Sequence, residues 1–371
     1  MERSLQMVDL QGQYLRIKGE IDSAIQEVIA SSRFIRGPIV DAFSSELSKY
    51  LGIEHVIACG NGTDALQIAL MALQLEPGDE VIIPAFTYIA TAEVIALLGL
   101  TPVLVDVDPR TFNIDASKIE DAITERTRCI MPVHLFGQGT DMNTVMHIAS
   151  KHDLYVIEDN AQSIGAKFEG KPLGGIGHIG TTSFFPSKNL GCYGDGGALF
   201  TNDAELAEKC FMIGNHGQEK KYYHSKVGIN SRLDAVQAAV LRVKLRHLDK
   251  YVEARQKAAA YYDSALEADD RYLTPFRDDR SDHVFHQYTL TINGIERSSL
   301  RADLSRKGIP SMVYYPLPVH LQEAYTSDKY PKGLFPIAEE LCEKVISIPM
   351  HSELKEEELS YICTALREYQ S

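Results

Sequence analysis

Tyr155-Val156-Ile157-Glu158-Asp159-Asn160-Ala161-Gln162 is an apolar run that ends in two carboxylates. Its apolar part has the composition of a buried strand. Acids at the end of such a strand sit where open α/β sheets bind ligands, beyond the strands' carboxyl ends. Similar runs recur around it. His55–Cys59, Glu80–Pro84, Val103–Val107 and Cys129–Val133 read as strands, Thr63–Leu73 and Ile89–Leu98 as helices, and Thr182–Phe185 with Ala198–Thr201 as a β pair. This alternation predicts an α/β fold with a mostly parallel sheet covered by helices on both faces.

Outside this block the pattern changes. Leu15, Ile17, Ile21, Ile25, Val28 and Ile29 recur at near-helical spacing, which predicts a helical arm. Ser231–Ala265 reads as one long helix and Asp269–Asp282 as a charged surface loop. His286–Ile292 reads as a strand, Leu300–Lys307 as a short helix, Ser311–Tyr315 as a strand and Glu353–Glu368 as an amphipathic helix. The 371 residues suit two units: the arm with a large domain over 1–240, and a smaller α+β domain over 241–371.

Composition narrows the function classes. Hydrophobic residues are 44% and charged residues 24%, ordinary for a folded protein. A net charge of −14 gives no global attraction to nucleic acid or an anionic membrane, so an anionic ligand needs a local pocket of donors. The six cysteines are scattered through apolar stretches without a C-x-x-C pair, which argues for buried thiols and against a zinc site or a disulfide framework. Met1–Asp9 carries no apolar leader segment, and Val94–Val105 is about half the length of a membrane span. We expect a soluble, cytoplasmic protein with no membrane, nucleic-acid or metal partner.

Three stretches carry chemistry. Cys59-Gly60-Asn61-Gly62-Thr63-Asp64-Ala65-Leu66 joins a strand to a helix. Its glycines permit a tight turn and the helix start offers free N–H groups to a phosphate, although a plain capped turn has the same residues. Gly60–Ala65 also fits the dinucleotide pattern G-x-G-x-x-A. That pattern needs an acid about 20 residues on, at the end of the second strand. Here Asp79 and Glu80 precede the strand, and it ends in Pro84-Ala85-Phe86, which disfavours an NAD-dependent dehydrogenase. Asp159 is placed either to hold a protonated ring nitrogen or to cap the next helix. Glu158 and Asp159 also look like a metal-binding pair, but no histidine or third acid is near in sequence.

Lys188 stands in Phe184-Phe185-Pro186-Ser187-Lys188-Asn189-Leu190, followed by Gly194, Gly196 and Gly197. An apolar setting favours the neutral amine that a Schiff-base nucleophile requires. An exposed loop lysine is the alternative.

Together, Gly60–Leu66, Glu158–Gln162, Ser183–Lys188 with Gly194–Gly197, and Gly228-Ile229-Asn230-Ser231-Arg232 resemble, in family order, the sugar aminotransferases of the DegT/DnrJ/StrS family. The resemblance runs from Val8 to His351. It implies the aspartate-aminotransferase fold (type I) and pyridoxal 5'-phosphate as cofactor. It implies that Lys188 binds the cofactor covalently and shuttles the proton, while Asp159 pairs with the ring nitrogen. Gln162 lies by the ring hydroxyl and Tyr88 stacks on the ring. Gly62, Thr63 and Ser183 hold the phosphate, and Asn230 reaches over from the partner subunit, implying a homodimer with shared sites. Relatives that dehydrate sugars carry histidine in place of this lysine, so Lys188 favours transamination, with glutamate as donor.

The substrate side resembles the family less. Tyr314-Tyr315-Pro316 matches a segment that reads His-Tyr-Pro in many relatives. Tyr315 is the better sugar contact, with Tyr314 and His320 as weaker ones. Asn61–Gln67, Phe184–Asp195 and Gly228–Asp234 look most like the members that aminate C3 of a UDP-linked 2-acetamido-3-oxo-glucuronate, whose product feeds bacterial surface polysaccharide. Such a substrate needs basic groups, for which Arg36, His216 and Arg232 are candidates. The runner-up substrate is a dTDP-linked 3-oxo-6-deoxyhexose. Outside the class stand a noncatalytic cofactor-binding regulator and the dehydrogenase.

Overall fold

The computed structural model describes residues 5–370. Its main sheet has seven strands: β1 (His55–Cys59), β2 (Glu80–Pro84), β3 (Thr101–Val105), β4 (Thr127–Ile130), β5 (Tyr155–Asp159), β6 (Ile179–Ser183) and β7 (Gly197–Thr201), in the spatial order β1-β7-β6-β5-β4-β2-β3. β7 pairs antiparallel with both β1 and β6, and every other pairing is parallel. The parallel strands are buried on both faces, and alternate residues feed two cores. Val81, Ile83 and Ile157 face α4 (Gly62–Ala72), α5 (Ala90–Leu97) and α7 (Ala204–Ile213). Ile82, Ile130 and Val156 face α6 (Met142–Lys151), while Ala198 and Phe200 face α3 (Pro38–Leu51) and α8 (Ala235–Leu245). The helical arm is present as α1 (Leu10–Arg16) and α2 (Lys18–Ser31), and α2 packs on α8.

The long helix expected over Ser231–Ala265 is two helices, α8 and α9 (Leu248–Leu266), broken at Arg246-His247. The break serves two packing partners. α8 lies against α2 and α3, whereas α9 lies against α12 (Glu356–Arg367). α9 and α12 cover a second, antiparallel sheet of β8 (Tyr272–Leu273), β9 (Tyr288–Ile292) and β10 (Val345–Ile348). The strand expected over Ser311–Tyr315 is absent as a strand; only Met312 bridges to Ser347. β10, with α11 (Pro336–Lys344) before it and α10 (Arg297–Arg306) earlier, completes this unit. The expected surface loop Asp269–Asp282 contains β8, because Tyr272 turns inward onto Ile292.

All six cysteines are buried and unpaired. Among the described residues no helix is long and apolar enough to cross a membrane.

Candidate active site

The carboxyl ends of β5 and β6, the start of α4 and residues 286–287 and 314–315 enclose a cleft of about 660 Å³. Asp159 ends β5 inside it. Strand alternation sends Glu158 to the opposite side, so the two acids do not form a metal pair. Glu158 is fully buried and receives the amides of Gly174, Ile176 and Gly177 at 2.8, 2.7 and 2.6 Å. His134 Nδ1 accepts from the Thr140 amide, which leaves Nε2–H to donate to Glu158 at 2.9 Å. Burial alone pushes this carboxyl up, but His134 and the amides outweigh it and hold it below its usual range.

Asp159 is less generously served. Thr91 Oγ1 donates to Oδ2 at 3.0 Å and the Ala161 amide to Oδ1 at 3.1 Å. Burial wins here and raises its pKa, with those donors and the Lys188 charge opposing. A buried carboxylate of this kind calls for a cationic N–H partner.

Lys188 lines the same cleft, close enough to Asp159 for their charges to interact. The chain turns tightly to bring it there: the Lys188 amide donates to Phe185 O at 2.8 Å, and a Cβ on Gly191 would fall 2.4 Å from Pro186 O. Phe184 and Leu190 are fully buried beneath it, while Phe185 faces outward. Enclosure lowers the Lys188 amine to about 8, against the pull of Asp159. Near neutral pH a useful fraction is therefore unprotonated.

The phosphate-sized corner forms where α4 meets β6. Asn61 caps the helix through Asp64 N at 2.8 Å. Ser231 Oγ takes the Gly60 amide at 2.8 Å and donates to Asp64 Oδ2 at 2.6 Å. The Gly62 and Thr63 amides are not taken by that capping, and both residues line the cleft beside Ser183. A Cβ on Gly62 would meet Ser183 Cβ at 2.7 Å, so only glycine lets the helix start come this close.

Tyr88 presents its ring to the cleft, 57% exposed and 6.0 Å from the Tyr315 ring. Gln162 accepts from the Phe136 amide at 2.7 Å and donates to the Tyr315 hydroxyl at 3.1 Å. Tyr314 packs edge-on to Tyr315. A buried acid, a lysine of depressed basicity, a helix N-terminus with hydroxyls and an aromatic face together fit a pyridine ring that carries an aldehyde and a phosphate.

Other expected residues are elsewhere. His320 is fully buried with Nε2 3.0 Å from Glu339 and its ring edge-on to Phe335, so packing uses it and it does not reach the cleft. Arg36 lies 4.6 Å over the Phe211 ring, close enough to Arg232 to feel its charge. His216 sits in a turn whose carbonyl accepts from His224 Nδ1, and Asn230 bridges Asn215. Arg36, His216, Asn230 and Arg232 do not line this chain's own cleft. Conversely, Thr91, Phe136, His286 and Gln287 belong to the site and were missed. Nothing in their local sequence marks them, because their roles arise from contacts across the fold.

The comparisons agree with this geometry. The model of the DegT/DnrJ/EryC1/StrS aminotransferase family matches residues 15–367. A "pleiotropic regulatory protein" of Geobacillus stearothermophilus is 51% identical, over 98% of both chains. The UDP-2-acetamido-2-deoxy-3-oxo-D-glucuronate aminotransferase of Pseudomonas aeruginosa is 46% identical, over 98% of this chain and 99% of that relative. The crystal structure of DesV from S. venezuelae, in complex with a ketimine intermediate, superposes with a TM-score of 0.96 at 39% identity, over 99% of this chain and 100% of that one. The mostly parallel sheet, the lysine and acid facing one cleft and the match across nearly the whole chain lead to one conclusion: this protein belongs to the DegT/DnrJ/EryC1/StrS aminotransferase family and is a sugar aminotransferase that uses pyridoxal 5'-phosphate.

Proposed function

We propose that the protein moves an amino group from glutamate to C3 of a UDP-linked 2-acetamido-3-oxo-glucuronate. The observation that carries this reading is Lys188, with its basicity lowered, sharing one cleft with buried Asp159. The 46% identity to the Pseudomonas aeruginosa enzyme supports the sugar.

Bound pyridoxal phosphate would supply an electron sink and carry the amino group between the two substrates. In our reading Gly62, Thr63 and Ser183 bind its phosphate, Tyr88 stacks on its ring, Gln162 contacts its hydroxyl and Asp159 keeps its ring nitrogen protonated. Lys188 anchors the cofactor. Once released, its amine takes a proton from the substrate carbon and delivers it again on the other side of the transfer. Proton transfer by a positioned base contributes roughly 10²–10⁴ in rate. Tyr315, with its hydroxyl held by Gln162, and Tyr314 contact the sugar.

We read the face carrying Arg36, His216, Asn230 and Arg232 as the surface that meets a second copy. Asn230 is exposed and outside its own cleft, and Tyr222, Tyr223 and Val227 beside it are 79%, 68% and 85% exposed. That arrangement fits a homodimer in which each chain completes the other's site and supplies basic groups for the anionic substrate. We propose a division close to the expected 1–240 and 241–371 but at Arg246-His247, where α8 ends, because a cut at 240/241 falls inside that helix. We assign the product to surface polysaccharide, such as lipopolysaccharide O-antigen, made in the cytoplasm.

One observation favours the runner-up, a dTDP-linked 3-oxo-6-deoxyhexose: apart from Lys188, which the cofactor takes, no lysine or arginine among the described residues lines the cleft to meet a sugar carboxylate. Steady-state assays with both ketones and glutamate, read as 2-oxoglutarate, decide. A higher kcat/KM for the UDP-linked uronate supports our reading, and preference for the dTDP-linked ketone rejects it.

A further inference from the structure

Glu158 and Asp159 end the same strand, yet they are held very differently. Glu158 takes three amides and an imidazole. Asp159 is equally enclosed but takes two donors among the described residues, the Ala161 amide on Oδ1 and the Thr91 hydroxyl on Oδ2. The Ala161 bond is local, an aspartate bonding its own backbone two residues on. The Thr91 bond spans 68 residues and ties the end of β5 to α5.

Thr91 is fully buried near the start of α5. A helical threonine can return its hydroxyl to the carbonyl one turn back. Here the hydroxyl turns to Asp159 instead, at 3.0 Å. Its oxygen is met by Thr87 Oγ1 at 3.3 Å, four residues earlier. A hydroxyl has one proton. The Thr91 proton is committed to Asp159, so Thr87 is the donor in that contact. The hydroxyls therefore align, Thr87 to Thr91 to Asp159, and each polarises the next. Tyr88, between the two threonines, lines the cleft. One turn of chain thus presents an aromatic face and braces the acid.

This alignment ends on an acceptor, which suits an ionised carboxylate. Burial favours the neutral acid, and the Ala161 amide and Thr91 hydroxyl oppose it, followed by Lys188 and His134. Lys188 after β6, His134 after β4 and the Tyr315 hydroxyl are the titratable groups that act on Asp159 from other segments. Each carboxylate oxygen keeps a further lone pair for an N–H partner.

We propose that Thr91, oriented by Thr87, is a positioning residue for Asp159: its hydroxyl keeps the carboxylate charged, so that the proton between Asp159 and the ring nitrogen of bound pyridoxal phosphate stays on the nitrogen. Neither threonine gains or loses a proton. A carboxylate deprived of a donor is the stronger base, and the shared proton then moves from nitrogen towards oxygen. This inference rests on the reading of Asp159 as partner of the ring nitrogen.

The test compares Thr91→Val, which removes the hydroxyl at nearly the same shape, with Thr91→Ser, which keeps it. Each is loaded with pyridoxal phosphate labelled with ¹⁵N in the ring. In Thr91→Val the ring ¹⁵N resonance moves towards that of an unprotonated pyridine, and kcat falls roughly tenfold. In cofactor-free Thr91→Val, carboxyl ¹³C titration finds the proton affinity of Asp159 raised about tenfold. Thr91→Ser returns all three readouts most of the way to the parent. An unmoved ¹⁵N resonance in Thr91→Val overturns the inference, as does an equal displacement in both variants. If Thr91→Val does not fold, Thr87→Val decides. It displaces the resonance in the same direction by less, and a resonance identical to the parent's overturns the proposal. Asp159→Asn separates the two levels. Loss of ring protonation there beside an unaffected Thr91→Val removes this inference alone, whereas a protonated ring in Asp159→Asn removes the reading beneath it.

Discussion

Gln162 and Tyr315 lie 153 residues apart in sequence, yet the Gln162 amide donates to the Tyr315 hydroxyl at 3.1 Å. The bond ties the loop after β5 to the 314–315 segment. Tyr315→Phe leaves that buried donor unpaired and costs about 1–3 kcal/mol in urea unfolding. Gln162→Ala also strips the Phe136 amide of its acceptor. The two residues share one interaction, so the double variant loses less than the sum of the singles, with a coupling of about 0.5–1.5 kcal/mol. Strict additivity would show that the contact does not form in solution.

Lys188→Ala removes both the covalent anchor and the base. Turnover falls by at least about 10⁴, while the far-ultraviolet circular dichroism stays that of the parent. Near-normal 2-oxoglutarate release by this variant contradicts the assignment of the lysine.

Gly62→Ala acts through space. The added methyl presses on Ser183 Cβ at 2.7 Å and Ser183 Cα at 3.2 Å, backbone-anchored atoms that cannot swing away. The helix start and the end of β6 must part, and cofactor affinity falls by about tenfold, or 1.4 kcal/mol. Titration of cofactor-free protein with pyridoxal phosphate measures it. Unchanged affinity would place the phosphate elsewhere.

Lys244 is a second buried amine, remote from the cleft. It lies 4.4 Å over the Tyr193 ring and its nitrogen lacks a hydrogen-bond partner. Burial lowers it to about 8, with the nearby Cys192 opposing. Its pKa is lower folded than unfolded, so the unfolded chain binds the proton more tightly. Below pH 8 the buried charge costs stability, and the cost fades as pH rises from 8 towards the ordinary lysine value near 10.5. Lys244→Met therefore stabilises the protein by about 1–3 kcal/mol at pH 7, and the gain shrinks across that window. Urea midpoints of both proteins at pH 7 and pH 10 test this, and a gain that is constant or grows with pH contradicts it.

Much was legible in the sequence because its signals are local. Apolar runs of strand length set β1, β2 and β5, and the Gly60–Thr63 turn, the acid ending β5 and the lysine among aromatics are each a few residues long. The second unit was harder to read. Ser311–Tyr315 has strand composition but lies beyond the sheet edge with one bridge, while Val345–Ile348 takes the place beside Tyr288–Ile292. Strand identity there depends on who pairs with whom, which composition does not encode.

By itself the sequence determined the layered α/β order, the chemistry available at Lys188 and Asp159, and the family. The tertiary structure decided where that chemistry points. Strand alternation separated Glu158 from Asp159. Burial, rather than residue type, lowered the amine of Lys188 and drew His320 into packing with Glu339. Contacts between segments far apart in the chain recruited Tyr314, Tyr315 and His286 to the cleft, and no local pattern announces a contact of that range.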